Sequence, residues 1–140
     1  MNELPLRRLS PEAILPTRAH PDDAGLDLYA LEEASLEPGR GAHVRTGIAV
    51  ELPAGTVGLI ADRSSMARRG LKTAGGIIDA GYRGEIGVLL WNVSPETHTV
   101  KRGDRIAQLL VVSVHTPAVR EVVTLQRTER GEGGFGSTGR

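Results

Sequence analysis

The chain has 140 residues, the size of a single domain. Its 17 Lys plus Arg balance 17 Asp plus Glu, so the overall charge points to neither nucleic acid nor a membrane surface as partner. There is no cysteine, which excludes disulfides and thiolate metal sites. No apolar run approaches the ~18 residues of a membrane span, and residues 1–15 do not read as a secretory signal, so a cytoplasmic protein is expected.

Glycine and proline punctuate the sequence, and the segments between them are short and β-branched. That pattern predicts an all-β sandwich or barrel. Strands are expected at 4–9 and 26–30. The clearest spans 44–52, with Val44, Thr46, Ile48, Val50 and Leu52 on one face and Arg45, Gly47, Ala49 and Glu51 on the other. Pro53-Ala54-Gly55 should turn it into a strand at 56–61, forming a hairpin. Residues 64–70 are the one helical segment. Ser64 or Ser65 can cap it and Gly70 can end it.

Next comes the run from Gly75 to Glu85. Ile77-Ile78 reads as a short strand and Ala80-Gly81 as a turn in which Gly81 supplies positive φ. The segment from Ile86 to Trp91 reads as the returning strand, a hairpin with an acid at its tip. Further strands are expected at 97–101, 105–114 and 119–124. Five glycines between Gly131 and Gly139 leave no basis for a packed element. Residues 1–128 thus read as one all-β domain and 129–140 as a mobile arm.

Several residues carry chemistry. Asp79 directly follows two isoleucines, so its carboxylate must reach water or have a task. Tyr82 flanks the same bend. Phe135, the only Phe, lies between glycines, where it could stack on a flat ring. Gly136, Ser137 and Thr138 could offer donors to phosphate oxygens, and Arg130 a bidentate guanidinium. A disordered tail is the competing reading. Arg63-Ser64-Ser65 opens the helix, either as an anion site or as ordinary capping. Asp27, between Leu26 and Leu28, faces solvent or serves a metal. Gln108, among apolar neighbours, needs partners in the backbone or a ligand. The histidines at 20, 43, 98 and 115 show no metal-ligand or triad spacing and are assigned no role.

The segment from Gly76 to Gly84 resembles the hairpin motif of the dUTPase family. Four more segments are similar to that family's motifs, and in its order: Asp23 to Leu28, Arg63 to Ser65, Gly103 to Leu109, and Arg130 to Gly139. Together they span most of the chain. Two positions depart from the commoner pattern. Ser65 stands where glycine is usual, and Thr73 where many members have Asn.

The resemblance implies a distorted jelly-roll (β-clip) subunit and a homotrimer with shared active sites. It implies hydrolysis of dUTP to dUMP and pyrophosphate by water attack on the α-phosphorus, with Asp79 as general base. Ser64 and Gln108 join Asp79 in the catalytic group. Arg63, Ser64, Gln108 and Arg130 would bind phosphate oxygens, and Ser65, Gly136, Ser137 and Thr138 would add donors. Backbone groups from Thr73 through Gly76, Ile77 and Ile78, with Gly87, would read the uracil. Tyr82 would pack on the deoxyribose. Mg²⁺ would be chelated by the triphosphate, with Asp27 in its outer shell through water.

Two alternatives belong to other classes. A dCTP deaminase relative shares the fold and the Arg-Ser-Ser segment but needs a catalytic Glu in place of the pattern set by Asp79 and Tyr82. A non-catalytic nucleotide-binding trimer would have no use for an intact Asp79, Asp27, Gln108 and arm.

Overall fold

A computed structural model describes residues 3–136. It is all-β, as the sequence predicts, with one short helix. The strands are β1 (Leu6–Arg8), β2 (Leu26–Tyr29), β3 (Ala34–Leu36), β4 (Gly41–Arg45), β5 (Ile48–Val50) and β6 (Thr56–Ala61), followed by α1 (Ser64–Arg68). Then come β7 (Leu71–Ala74), β8 (Ile77–Ile78), β9 (Gly87–Asn92), β10 (His98–Val100) and β11 (Arg105–Ser113). Among the described residues no helix is long and apolar enough to cross a membrane.

All strand pairs are antiparallel. One sheet has the order β2-β11-β6-β8 and another β4-β9-β7, while β1 pairs with β5 and β10 with β3. Strand alternation sends Val88, Leu90 and Asn92 inward from β9 and leaves Leu89 and Trp91 outside. The inward residues join Leu28, Ile106 and Leu109 of the larger sheet in one core. Asn92 is fully buried but satisfied: its amide donates to the carbonyls of Leu36 (2.8 Å) and Glu96 (2.7 Å), and its oxygen accepts from Ser94.

Several expected elements are corrected. The strand at 44–52 breaks in two. Gly47 takes φ of 71°, and the Thr46 hydroxyl donates to the Ile86 carbonyl. The residues expected inside, from Val44 to Leu52, are all buried. The Pro53 turn does form, with Thr56 N–H and hydroxyl on the Pro53 carbonyl, yet it joins no hairpin. Instead β5 pairs with β1, and β6 pairs with β11 and β8.

The hairpin carrying Asp79 is also built differently. Its arms are β7 and β9, in register Leu71 opposite Asn92 to Ala74 opposite Leu89. Gly75 and Gly76, at φ of 70° and 91°, swing the chain out of that sheet, and Ile77-Ile78 pairs with β6 instead. The turn after Asp79 is closed by Tyr82 N–H on the Asp79 carbonyl at 3.0 Å, but Gly81 is not in the left-handed region.

Helix α1 is capped by Arg63 backbone, with no side-chain cap from either serine. Gly70, at φ of 81°, follows its end. No strand forms at 119–124. Val119, Val123 and Leu125 lie fully or almost fully open.

Candidate active site

Gly76, Ile77, Ile78, Asp79, Tyr82 and Gly87 surround one cavity of about 290 Å³. Ala74 and Leu89 complete its sheet-side wall, and His43 and Glu85 line it as well. The Asp79 carboxylate makes no hydrogen bond or ion pair among the described residues. Tyr82 is fixed more firmly. Its hydroxyl donates to the Glu85 carbonyl at 2.7 Å, and its ring covers Gly84, where a Cβ would strike the ring carbons. Glu85 anchors the far side of the loop: its carboxylate accepts from Arg45 Nε at 3.2 Å and from Gly47 N–H at 2.9 Å. Glu85 and His43 were not singled out in the sequence. Glu85 ends the Asp79 run, and His43 falls on the outward alternation that also exposes Arg45.

A second cluster gathers Asp27, Arg63, Ser65, Arg105 and Gln108. Asp27 does not face open solvent. Arg63 Nε donates to its Oδ1 at 3.0 Å, and Arg105 Nη1 stands 3.8 Å from its Oδ2. Arg63 Nη1 reaches the Ser65 hydroxyl and the Arg105 carbonyl, both at 3.2 Å. β11 sets Gln108 opposite Asp27 on one side and Ala61 on the other. The Gln108 amide donates to the Asp62 carbonyl at 2.8 Å, so in this structure its partner is neighbouring backbone. Gly25 packs directly on the Gln108 side chain, and a Cβ at residue 25 would collide with Oε1. Ser64 opens the helix beside Arg63, exposed.

Asp62 links this cluster to the hairpin. Its Oδ1 accepts from Thr73 N–H at 2.6 Å and from the Thr73 hydroxyl at 2.8 Å, and its Oδ2 accepts from Lys72 Nζ at 3.0 Å. Burial alone would push this carboxyl up. The Thr73 bonds and the Lys72 ammonium outweigh it and hold the group below its usual range. The Thr73 hydroxyl is therefore turned to Asp62. No motif marks Asp62; only an acid immediately before Arg63 could have flagged it.

Among the described residues the arm's hydrogen bonds from Arg130 and Gly131 reach neither cluster. Arg130 Nε donates to the Gly133 carbonyl at 2.6 Å, Gly131 N–H to the Thr128 hydroxyl at 3.1 Å, and Phe135 is fully exposed beside Gly136. Ser137 and Thr138 lie outside the described residues. Among the described residues no three His, Asp or Glu side chains converge as a metal cage.

Residues 11–139 match the family model described as dUTPase. A deoxyuridine 5'-triphosphate nucleotidohydrolase of Rhodococcus erythropolis is 50% identical over 138 residues, covering 96% of this chain and 84% of the relative. A point mutant of the Staphylococcus bacteriophage 80alpha dUTPase, solved with dUpNHpp, superposes with a TM-score of 0.94 at 32% identity over the whole of both chains. A mutant dUTPase from phage phi11 of S. aureus, solved to show coordination of a structural Mg(II) ion, has a TM-score of 0.82 at 33% identity. That match covers 88% of this chain and 98% of the phage chain.

Proposed function

Because the chain belongs to the dUTPase family, we propose that it hydrolyses dUTP to dUMP and pyrophosphate, with Asp79 as the general base. One observation carries the mechanism: the Asp79 carboxylate lines the cavity with no hydrogen-bond partner among the described residues. A general base needs a free lone pair within reach of its water. The proton of the attacking water passes to Asp79 as oxygen bonds the α-phosphorus and the pyrophosphate oxygen leaves.

The uracil lies in the hairpin cavity, against backbone groups of Gly76, Ile77, Ile78 and Gly87. The hairpin backbone beside the base would exclude a 5-methyl group. Tyr82, held by Glu85, packs on the deoxyribose and leaves no room for a 2′-hydroxyl. Arg63, Ser64 and Gln108 hold phosphate oxygens, with Ser65 adding a donor. The Thr73 hydroxyl, committed to Asp62, positions the hairpin rather than reading the base. Residues 1–128 form the catalytic domain. Residues 129–140 form the arm, whose Arg130, Phe135 and Gly136, with Ser137 and Thr138, close over the nucleotide.

The donor set suits Mg²⁺ carried by substrate phosphates and water, because both oxygens of Asp27 already face guanidinium groups. When bound, the ion neutralises phosphate charge. Asp27 would hold its water shell.

Among the described residues the cavity at Asp79 and the one between Arg63 and Arg105 share no lining residue. A homotrimer whose sites join different subunits would bring the two together. Exposed Trp91, Val93, Val119 and Val123 provide apolar surface for such contacts.

Pyrophosphate release measured side by side from dUTP, UTP, dTTP and dCTP with Mg²⁺ tests the reading. Strong preference for dUTP is expected. Comparable turnover of UTP would remove Tyr82 as a sugar gate, and ammonia release from dCTP would favour the deaminase alternative.

A further inference from the structure

The wall of the hairpin cavity carries two polar side chains outside the family motifs, Glu85 and His43, and among the described residues only Glu85 is held by hydrogen bonds. His43 on β4 stands opposite Leu89 on β9, and Leu89 stands opposite Ala74 on β7. Alternation therefore puts all three on one face of the sheet, and all three line the cavity. Gly87 shares that face, two residues before Leu89, and has no side chain. The imidazole of His43 occupies the space this leaves, so that a Cβ on residue 87 would collide with Nε2.

The other polar side chains of the cavity have tasks. The Tyr82 hydroxyl donates to the Glu85 carbonyl. The Glu85 carboxylate is held by Arg45 and by Gly47 N–H. Asp79 is the general base. His43 alone presents ring nitrogens with no side-chain hydrogen bond among the described residues.

We propose that His43 is a specificity-determining residue, whose imidazole N–H donates to a uracil carbonyl and so disfavours cytosine. The inference rests on placing the base in this cavity. Uracil presents a carbonyl acceptor at C4, where cytosine presents an amino donor. A donor aimed at that position pairs with uracil and meets a second donor in cytosine, leaving both unsatisfied. The neutral ring with its N–H inward and the doubly protonated ring both supply the donor. Backbone groups of the hairpin read the base in addition, and His43 is the side-chain element of that recognition.

The test compares His43→Leu and His43→Gln with the parent enzyme, measuring kcat and KM for dUTP and dCTP and the melting temperature. His43→Leu should raise KM for dUTP by roughly 3- to 10-fold, the worth of one hydrogen bond, with a smaller effect on kcat. It should narrow the dUTP-over-dCTP ratio of kcat/KM by a similar factor. His43→Gln, which keeps an N–H donor, should recover most of both. An unchanged ratio in a folded His43→Leu enzyme, or a Gln variant no better than Leu, overturns the proposal.

Leu89→Trp separates this from the pocket reading, because it fills the cavity and leaves His43 itself unsubstituted. If Leu89→Trp leaves KM for dUTP unchanged, the base does not lie here and both readings fail. If it raises KM while His43→Leu changes nothing, only the role of His43 fails. Should a variant not fold, the unmodified protein still decides: the ring ¹⁵N signal of His43 should move on adding dUMP, and its standing still at saturation contradicts the proposal.

Discussion

Arg63 donates from Nε to Asp27 Oδ1 at 3.0 Å, so the residue read for phosphate and the residue read for the metal shell hold each other. Both side chains are mostly buried, at 22% and 16% exposure, and the pair is therefore more than a solvated surface bridge. Asp27→Asn should weaken it, costing about 1–3 kcal/mol of stability. Activity should fall further than stability, and the Mg²⁺ concentration needed for half-maximal rate should rise. A thermal melt and a Mg²⁺ titration of the rate check this. An unchanged titration removes Asp27 from the metal shell.

Asp62 gives the account its pH dependence. Its folded-state carboxyl is held below the usual range, despite burial, by Thr73 and Lys72. A depressed folded pKa means the stabilisation is complete above the unfolded pKa and is lost as pH falls through the folded one. Stability should thus decline on acidification below about pH 4. Asp62→Asn should flatten that part of the profile and cost about 1–3 kcal/mol at neutral pH. Denaturant melts of both proteins across acidic pH make the comparison.

Deleting residues 130–140 should leave the melting temperature nearly unchanged. Arg130 and Glu132 are exposed, Phe135 fully so, and the hydrogen bonds of Arg130 and Gly131 are to Gly133 and Thr128, within or next to the arm itself. Hydrolysis of dUTP should collapse. Full activity in the truncated protein would return Phe135 and Arg130 to a tail without function.

Subunit sharing can be tested by complementation. The Asp79→Asn chain keeps an intact arm and the arm-deleted chain keeps Asp79. Each homotrimer should be nearly inactive. Hybrid trimers made by co-refolding should regain activity above the sum of the parents, because some sites then combine an intact base with an intact arm. Verified hybrids without recovery would mean that the arm serves its own chain.

The all-β class and most strands were legible because β-branched residues alternate between glycine and proline turns. Strand pairing was less so. Adjacent strands at 44–52 and 56–61 suggested a hairpin, yet Gly47, Gly75 and Gly76 redirect the chain between sheets, and a sequence does not display which edge a redirected strand will meet. β3 and β7 are short, three and four residues, which gives alternation too little length to register. The site was legible where the motifs are contiguous, as around Asp79. Asp62, Glu85 and His43 were not, because their roles depend on partners far away in the chain: Thr73, Arg45 and Gly87.

The central claim is that Asp79 is the base. Its most direct test is single-turnover hydrolysis of dUTP by Asp79→Asn, alongside binding of the non-hydrolysable analogue dUpNHpp. Loss of a general base removes about 10²–10⁴-fold in rate. The account predicts a loss of that size with analogue affinity largely retained, because the amide keeps the shape of the carboxylate and the phosphate and base contacts lie on other residues. Hydrolysis at near the parent rate would contradict it.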